Sequence, residues 1–107
     1  MSSAESRESR RKAKIRNRLG LHARAAVKFV QLASKFKSEI TVIKDSTDVN
    51  GKSIMGLLTL VAAYGMDIVI VAVGPDANPA VEALGALVDG GFDEGVEPEG
   101  AAGARGG

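Results

Sequence analysis

The chain carries a single histidine, His22, within the run Gly20-Leu21-His22-Ala23-Arg24. A neutral imidazole is a nucleophile near neutral pH, so a lone histidine with a cation two residues away is a candidate for covalent group transfer. His22 falls where an alternating stretch gives way to a helical pattern. The first N–H groups of a helix have no intrahelical acceptor, and the helix dipole adds partial positive charge beside them. A phosphoryl group on the ring would meet those donors at Ala23 and Arg24, and the Arg24 guanidinium would add charge-assisted hydrogen bonds. The competing interpretation is a histidine that merely caps the helix or sits on the surface, and a His-x-Arg triplet alone does not decide between the two. No second histidine and no cysteine is present to complete a ligand set, so no metal site is expected.

The elements that must position this histidine are legible from periodicity. Ala13, Ile15 and Asn17 alternate with Lys14, Arg16 and Arg18, which predicts a short strand with a basic outer face, ended by Leu19-Gly20-Leu21. Ala26, Phe29, Val30, Ala33 and Phe36 recur at three- and four-residue steps and predict a helix over 23–36. Strands are expected at Glu39–Lys44 and Thr47–Asn50, with a turn at Asp45-Ser46. Ser53 suits the N-cap of a short helix from Ile54 to about Leu60, with Leu57 and Leu60 facing the core. Asp67–Val73 is almost wholly β-branched and predicts a buried strand, followed by a turn at Gly74-Pro75-Asp76. Asp76 or Asn78 would cap a last helix reaching about Val88, with Val81, Leu84 and Val88 inward and Pro79 tolerated in its first turn. The order βαββαβα predicts an α+β domain, an antiparallel sheet covered by helices on one face.

Composition narrows the function classes. The 107 residues suffice for one domain, and 45% hydrophobic content suffices for a core. A net charge of +1 argues against a chain that binds polyanions as a whole. Aromatic residues make up 4% and tryptophan is absent, which argues against base-stacking platforms. Nucleic-acid binding would then rest on Arg7, Arg10, Arg11, Lys12 and Lys14, a cluster diluted by Glu5 and Glu8, and is not expected. The absence of cysteine fits a reducing cytosol. The longest apolar stretch, Ile54 to Met66, is interrupted by Gly56, Thr59, Tyr64 and Gly65 and falls short of the roughly 20 residues that span a bilayer. The expectation is a soluble cytoplasmic protein that makes no use of a membrane. Residues 1–12 read as a disordered basic tail, 13–93 as the domain, and 94–107 as a disordered Gly-rich tail.

Two segments together carry a resemblance. GLHARAAVKFVQLASKF resembles the active-site segment of HPr, the histidine-containing phosphocarrier family of the phosphoenolpyruvate-dependent sugar phosphotransferase system. VNGKSIMGLLTL resembles that family's second signature at the expected distance, and the resemblance spans about residues 13–92. It implies an open-faced β-sandwich, a four-stranded antiparallel sheet with three helices on one face. It implies that His22 is phosphorylated through Nδ1, that Arg24 stabilises the phosphoryl group, and that the chain is a carrier rather than an enzyme, without cofactor. Enzyme I would be the donor, an enzyme IIA component the acceptor, and the carrier a monomer. Ser53 matches the serine that an HPr kinase/phosphorylase modifies in some relatives. Val27, Ile54, Met55 and Leu58 would belong to one docking surface. The alternative on the same scaffold is a regulatory module, of the nitrogen-branch or Ser-phosphorylated kind, that controls other proteins rather than sugar uptake. One departure is plain: Ala25 stands where the family pattern usually has proline.

Overall fold

The structure, a computed structural model, describes residues 7–94. Of the expected tails over 1–12 and 94–107, residues 1–6 and 95–107 lie outside the described residues. The elements run β1 (Glu8–Lys14), α1 (Ala23–Ala33), β2 (Glu39–Lys44), β3 (Thr47–Asn50), α2 (Ile54–Leu58), β4 (Asp67–Val73) and α3 (Ala77–Asp89), closed by a 3-10 turn at Gly91–Asp93. The four strands form one sheet in the order β1-β4-β2-β3, with every neighbouring pair antiparallel.

Period-2 alternation decides which sheet face is covered. Ala13 stands opposite Ile68, Val42 opposite Ile70, and Ile40 opposite Ala72, so these residues share a face, and all are buried. Against that face pack Ala26, Phe29 and Ala33 of α1, Leu57 of α2, and Ala80, Val81, Leu84 and Val88 of α3. The other face stays open, with Lys12 and Asp48 exposed along it. This is the open-faced α+β sandwich with three helices.

β1 begins earlier than the alternation suggested. Residues 8–12, expected in the basic tail, pair residue for residue with β4, from Glu8 against Val73 onward. The inward positions here are Ser9 and the cation Arg11, neither of them apolar, which hid the strand. The Arg11 guanidinium meets Glu82 Oε1 at 3.0 Å and Asp89 Oδ2 at 2.9 Å on α3. Gly85 leaves the space, since a Cβ there would lie 2.4 Å from Arg11 Cδ. The alternation expected over 13–18 is present in burial, Ala13, Ile15 and Asn17 being buried and Lys14, Arg16 and Arg18 exposed. The ladder itself stops at Lys14, and Ile15 instead exchanges hydrogen bonds with the approach to β4 through Met66 O and Gly65 N, both at 2.8 Å.

Both leading helices are shorter than expected, because their last turns tighten. α1 stops at Ala33, and Lys35 and Phe36 donate three residues back to Leu32 O and Ala33 O. α2 stops at Leu58, with Leu60 N donating to Leu57 O. Leu57 and Leu60 are buried as expected.

Asp76 occupies the N-cap position of α3, but its carboxylate serves a neighbouring loop. It accepts from Lys37 N at 2.8 Å, Ser38 N at 2.9 Å and Ser38 Oγ at 2.6 Å, tying the α1–β2 connection to the β4–α3 turn. The Ser38 hydroxyl, with the Lys37 amide next, holds the carboxyl below its ordinary value of 3.8. A depressed carboxyl stabilises the fold above that ordinary value and ceases to do so as pH falls through its folded-state value. Asp76→Ala is therefore expected to melt below wild type at neutral pH. The gap should close in acid below about pH 3.8, as read from melting temperatures at a series of pH values.

Candidate functional site

Three short-range devices place His22. The first is Gly20, at φ +71, where a Cβ would lie 2.6 Å from Ala62 O; the backbone passes this point only without a side chain. The second is the hydrogen bond from Leu21 N to Ala62 O, 2.9 Å, which fastens the loop while the Leu21 side chain is buried. The third is the helix itself. His22 is the N-cap of α1, with extended backbone at φ −84 and ψ −178, and its carbonyl accepts from Ala26 N at 2.9 Å.

The ring is held at both nitrogens. Arg24 N donates to Nδ1 at 3.3 Å, and Nδ1 can accept only as the unprotonated nitrogen. Nε2 thus carries the hydrogen, and it donates to Glu94 Oε2 at 2.6 Å. Which nitrogen keeps its lone pair is set by the bond the other makes. Nδ1, the nitrogen that keeps its lone pair, lies at the open start of α1, where the amides of Ala23 and Ala25 have no intrahelical acceptor. The side chain is 28% exposed, enough for a partner to reach it. The Arg24 side chain is exposed and makes no ion pair among the described residues, so its charge is available to an incoming anion.

Glu94, behind the ring, was expected in the Gly-rich tail and is instead part of the site. Its Oε1 accepts from Asn17 Nδ2 at 3.0 Å, and the same amide donates to Gly20 O at 2.7 Å. Burial raises the Glu94 carboxyl, but the hydrogen bonds from Asn17 and His22, with the nearby charge of Lys28, outweigh it and hold it below its ordinary 4.5. Lys28, one turn along α1, donates to Phe92 O at 2.9 Å and so anchors the 3-10 turn that delivers Glu94. Asn17 was expected to face inward; its hydrogen bonds were not foreseen. A signal for the closing turn did exist: Phe92, a large apolar residue after Gly90-Gly91, is fully buried.

The other expected site residues fall as follows. Ala25 is fully buried in the first turn of α1. Its amide lies among the orphan donors, so a proline would forfeit no helical bond there. Ala25→Pro is expected to raise the free energy of unfolding by about 0.4–1 kcal/mol, chiefly by restricting the unfolded chain, as measured by urea denaturation. Ser53 is the N-cap of α2, its Oγ accepting from Gly56 N at 3.0 Å. Met55 is 72% exposed and Ile54 is exposed as well, while Val27 and Leu58 are half-buried, and α1 packs against α2. Leu19 and Val61, not foreseen as surface residues, are also strongly exposed. Val61 has φ 51, a left-handed backbone unusual for a β-branched residue, just before the Ala62 that fastens the His22 loop. Among the described residues no cluster of three or more His, Asp or Glu side chains is placed to hold a metal ion. None of their helices is long and apolar enough to cross a membrane.

The chain is similar to known proteins along most of its length. The family model PTS-HPr, described as the PTS HPr component phosphorylation site, matches residues 9–89. The phosphocarrier protein HPr of Neisseria meningitidis serogroup A is 54% identical over 81 residues, which cover 76% of this chain and 91% of the relative. The phosphocarrier protein NPr of Shewanella violacea is 45% identical over 84 residues, covering 78% of this chain and 92% of the relative. The crystal structure of HPr-C-His from Thermoanaerobacter tengcongensis superimposes with a TM-score of 0.78 at 43% identity, over 82% of this chain and 99% of that one. A sheet of this strand order, a histidine capping the helix that follows its first strand, and likeness along nearly the whole length of these relatives agree: the chain belongs to the HPr family of phosphotransferase-system phosphocarriers.

Proposed function

We propose that His22 accepts a phosphoryl group through Nδ1 from the phosphohistidine of enzyme I and gives it to a histidine of an enzyme IIA component. The observation that carries this reading is the orientation of the ring, with its lone pair at the open N-terminus of α1 and its proton on the far side at Glu94. Once phosphorus is bonded to Nδ1, the Arg24 amide that now donates to that nitrogen becomes a donor to a phosphoryl oxygen. The Arg24 guanidinium then supplies the second charge-assisted contact. The donor bond and the acceptor bond are both phosphoramidates, so the protein's task is positioning and charge stabilisation rather than turnover.

Partners on this reading dock over the exposed apolar residues Ile54 and Met55, with Val27 and Leu58 beneath, and the chain acts as a monomer. Ser53 at the start of α2 adjoins that surface, and an HPr kinase/phosphorylase would use it to oppose acidic partners by adding charge. The test is a reconstituted relay of purified enzyme I, this protein and a candidate enzyme IIA, started with phosphoenolpyruvate. Label is expected on this protein and then on the acceptor, and Ser53→Asp should slow both steps. A protein that stays unlabelled while a known carrier is labelled in the same mixture contradicts the reading.

A further inference from the structure

Among the described residues, the His22 ring hydrogen-bonds one side chain besides the Arg24 amide, and it comes from the far end of the described chain. We propose that Glu94 is a positioning residue for phosphoryl transfer: its carboxylate keeps the His22 proton on Nε2 and leaves Nδ1 the nucleophile throughout the relay. The inference rests on the carrier reading above and deepens it.

Three observations support it. The Nε2 to Oε2 separation is 2.6 Å, short even for a charge-assisted hydrogen bond, and no other hydrogen bond reaches Oε2 among the described residues. The carboxylate is itself fixed, because Oε1 is held by Asn17, whose amide is 1% exposed and also grips the Gly20 carbonyl. One side chain therefore sets the loop before the histidine and the carboxylate behind it. This amide is held at a cost. Its Oδ1 is buried and without a partner among the described residues, a state that buried side-chain oxygens rarely occupy. The third observation is delivery: Phe92 is fully buried with left-handed backbone, and Lys28 bonds its carbonyl, so Glu94 is presented by an anchored turn.

The step balances without moving a proton. The Nδ1 lone pair forms the new bond to phosphorus. The donor's nitrogen–phosphorus bond breaks, and its electron pair returns to the donor ring. The Nε2 hydrogen stays where it is. The His22 ring gains positive charge as it does so, and the Glu94 carboxylate faces that charge. On transfer to the acceptor the electron pair returns to Nδ1, and the ring leaves as neutral imidazole.

The test uses the full chain labelled with 15N at histidine, as wild type, Glu94→Ala and Glu94→Gln. The glutamine keeps an acceptor oxygen and removes the charge. In the unphosphorylated protein the 15N shifts report the tautomer directly, with no partner present. Wild type is expected to show a single Nε2–H form, Glu94→Ala a mixture of tautomers, and Glu94→Gln an intermediate spectrum. Phosphorylation by enzyme I should slow by about 10- to 100-fold in Glu94→Ala, with partial rescue in Glu94→Gln. Loss of fold alone would not be rescued by glutamine, and thermal melts of both variants identify it. Variants that are folded, keep the wild-type 15N pattern and accept phosphate at the wild-type rate overturn the proposal. Failure of wild type to be phosphorylated overturns the carrier reading instead, while the tautomer result still judges the role of Glu94.

Discussion

Phe92→Ala is expected to lower the free energy of unfolding by about 3–5 kcal/mol, a large part of the roughly 5–15 kcal/mol that holds such a domain together. The ring is fully buried, at the end of α3, in the same core as Phe29 and Leu84. Its backbone at φ 55 and ψ 33 costs about 1–2 kcal/mol for an L-residue. Burying an aromatic side chain contributes about 1.5–3 kcal/mol, so burial wins and the ring pins an otherwise unfavourable turn. Alanine keeps the backbone penalty and loses the anchor. Phe92→Leu, which refills most of the volume, is expected to recover the larger share. Urea denaturation of the three proteins measures both differences. The same substitution frees Glu94 from His22, so the alanine variant should also show the mixed histidine tautomers expected of Glu94→Ala.

Arg24→Gln is expected to slow phosphoryl transfer by about 100-fold while leaving stability within about 0.5 kcal/mol of wild type. The side chain is exposed and makes no ion pair among the described residues, so the resting fold does not lean on it. Its backbone amide, which donates to His22 Nδ1, is retained in the glutamine variant. What disappears is the guanidinium charge that, on the proposed reading, offsets negative charge developing on the phosphoryl oxygens. Rapid-quench phosphorylation by enzyme I, compared with thermal melts, separates the two effects. A variant that transfers at the wild-type rate contradicts the role given to Arg24.

The fold was legible wherever burial and periodicity agree. β2 and β4 occupy their expected spans because β-branched apolar side chains mark them, and β3 because the Asp45-Ser46 turn returns the chain beside β2. β1 broke the rule, since its inward position Arg11 is a cation neutralised by Glu82 and Asp89, residues more than 70 positions away that no local pattern connects to it. Helix ends were overrun for a related reason: Phe36 and Leu60 still contact the core, but through tightened turns that keep the apolar spacing without the helix. At the site, the placement of His22 at the start of α1 follows from a local pattern and is what the structure has. Glu94 was not legible. It is contributed by a Gly-rich stretch with no periodicity, and only the burial of Phe92 carries it back to the ring.

On the proposed reading His22 carries phosphate on Nδ1, with Nε2 occupied by its proton and Glu94. The most direct test is a phosphorus–nitrogen correlated NMR spectrum of 15N-histidine protein after phosphorylation by enzyme I. One phosphorus resonance coupled to Nδ1 of the single histidine is expected. A phosphorus coupled to Nε2, or bound to any other residue, would contradict it.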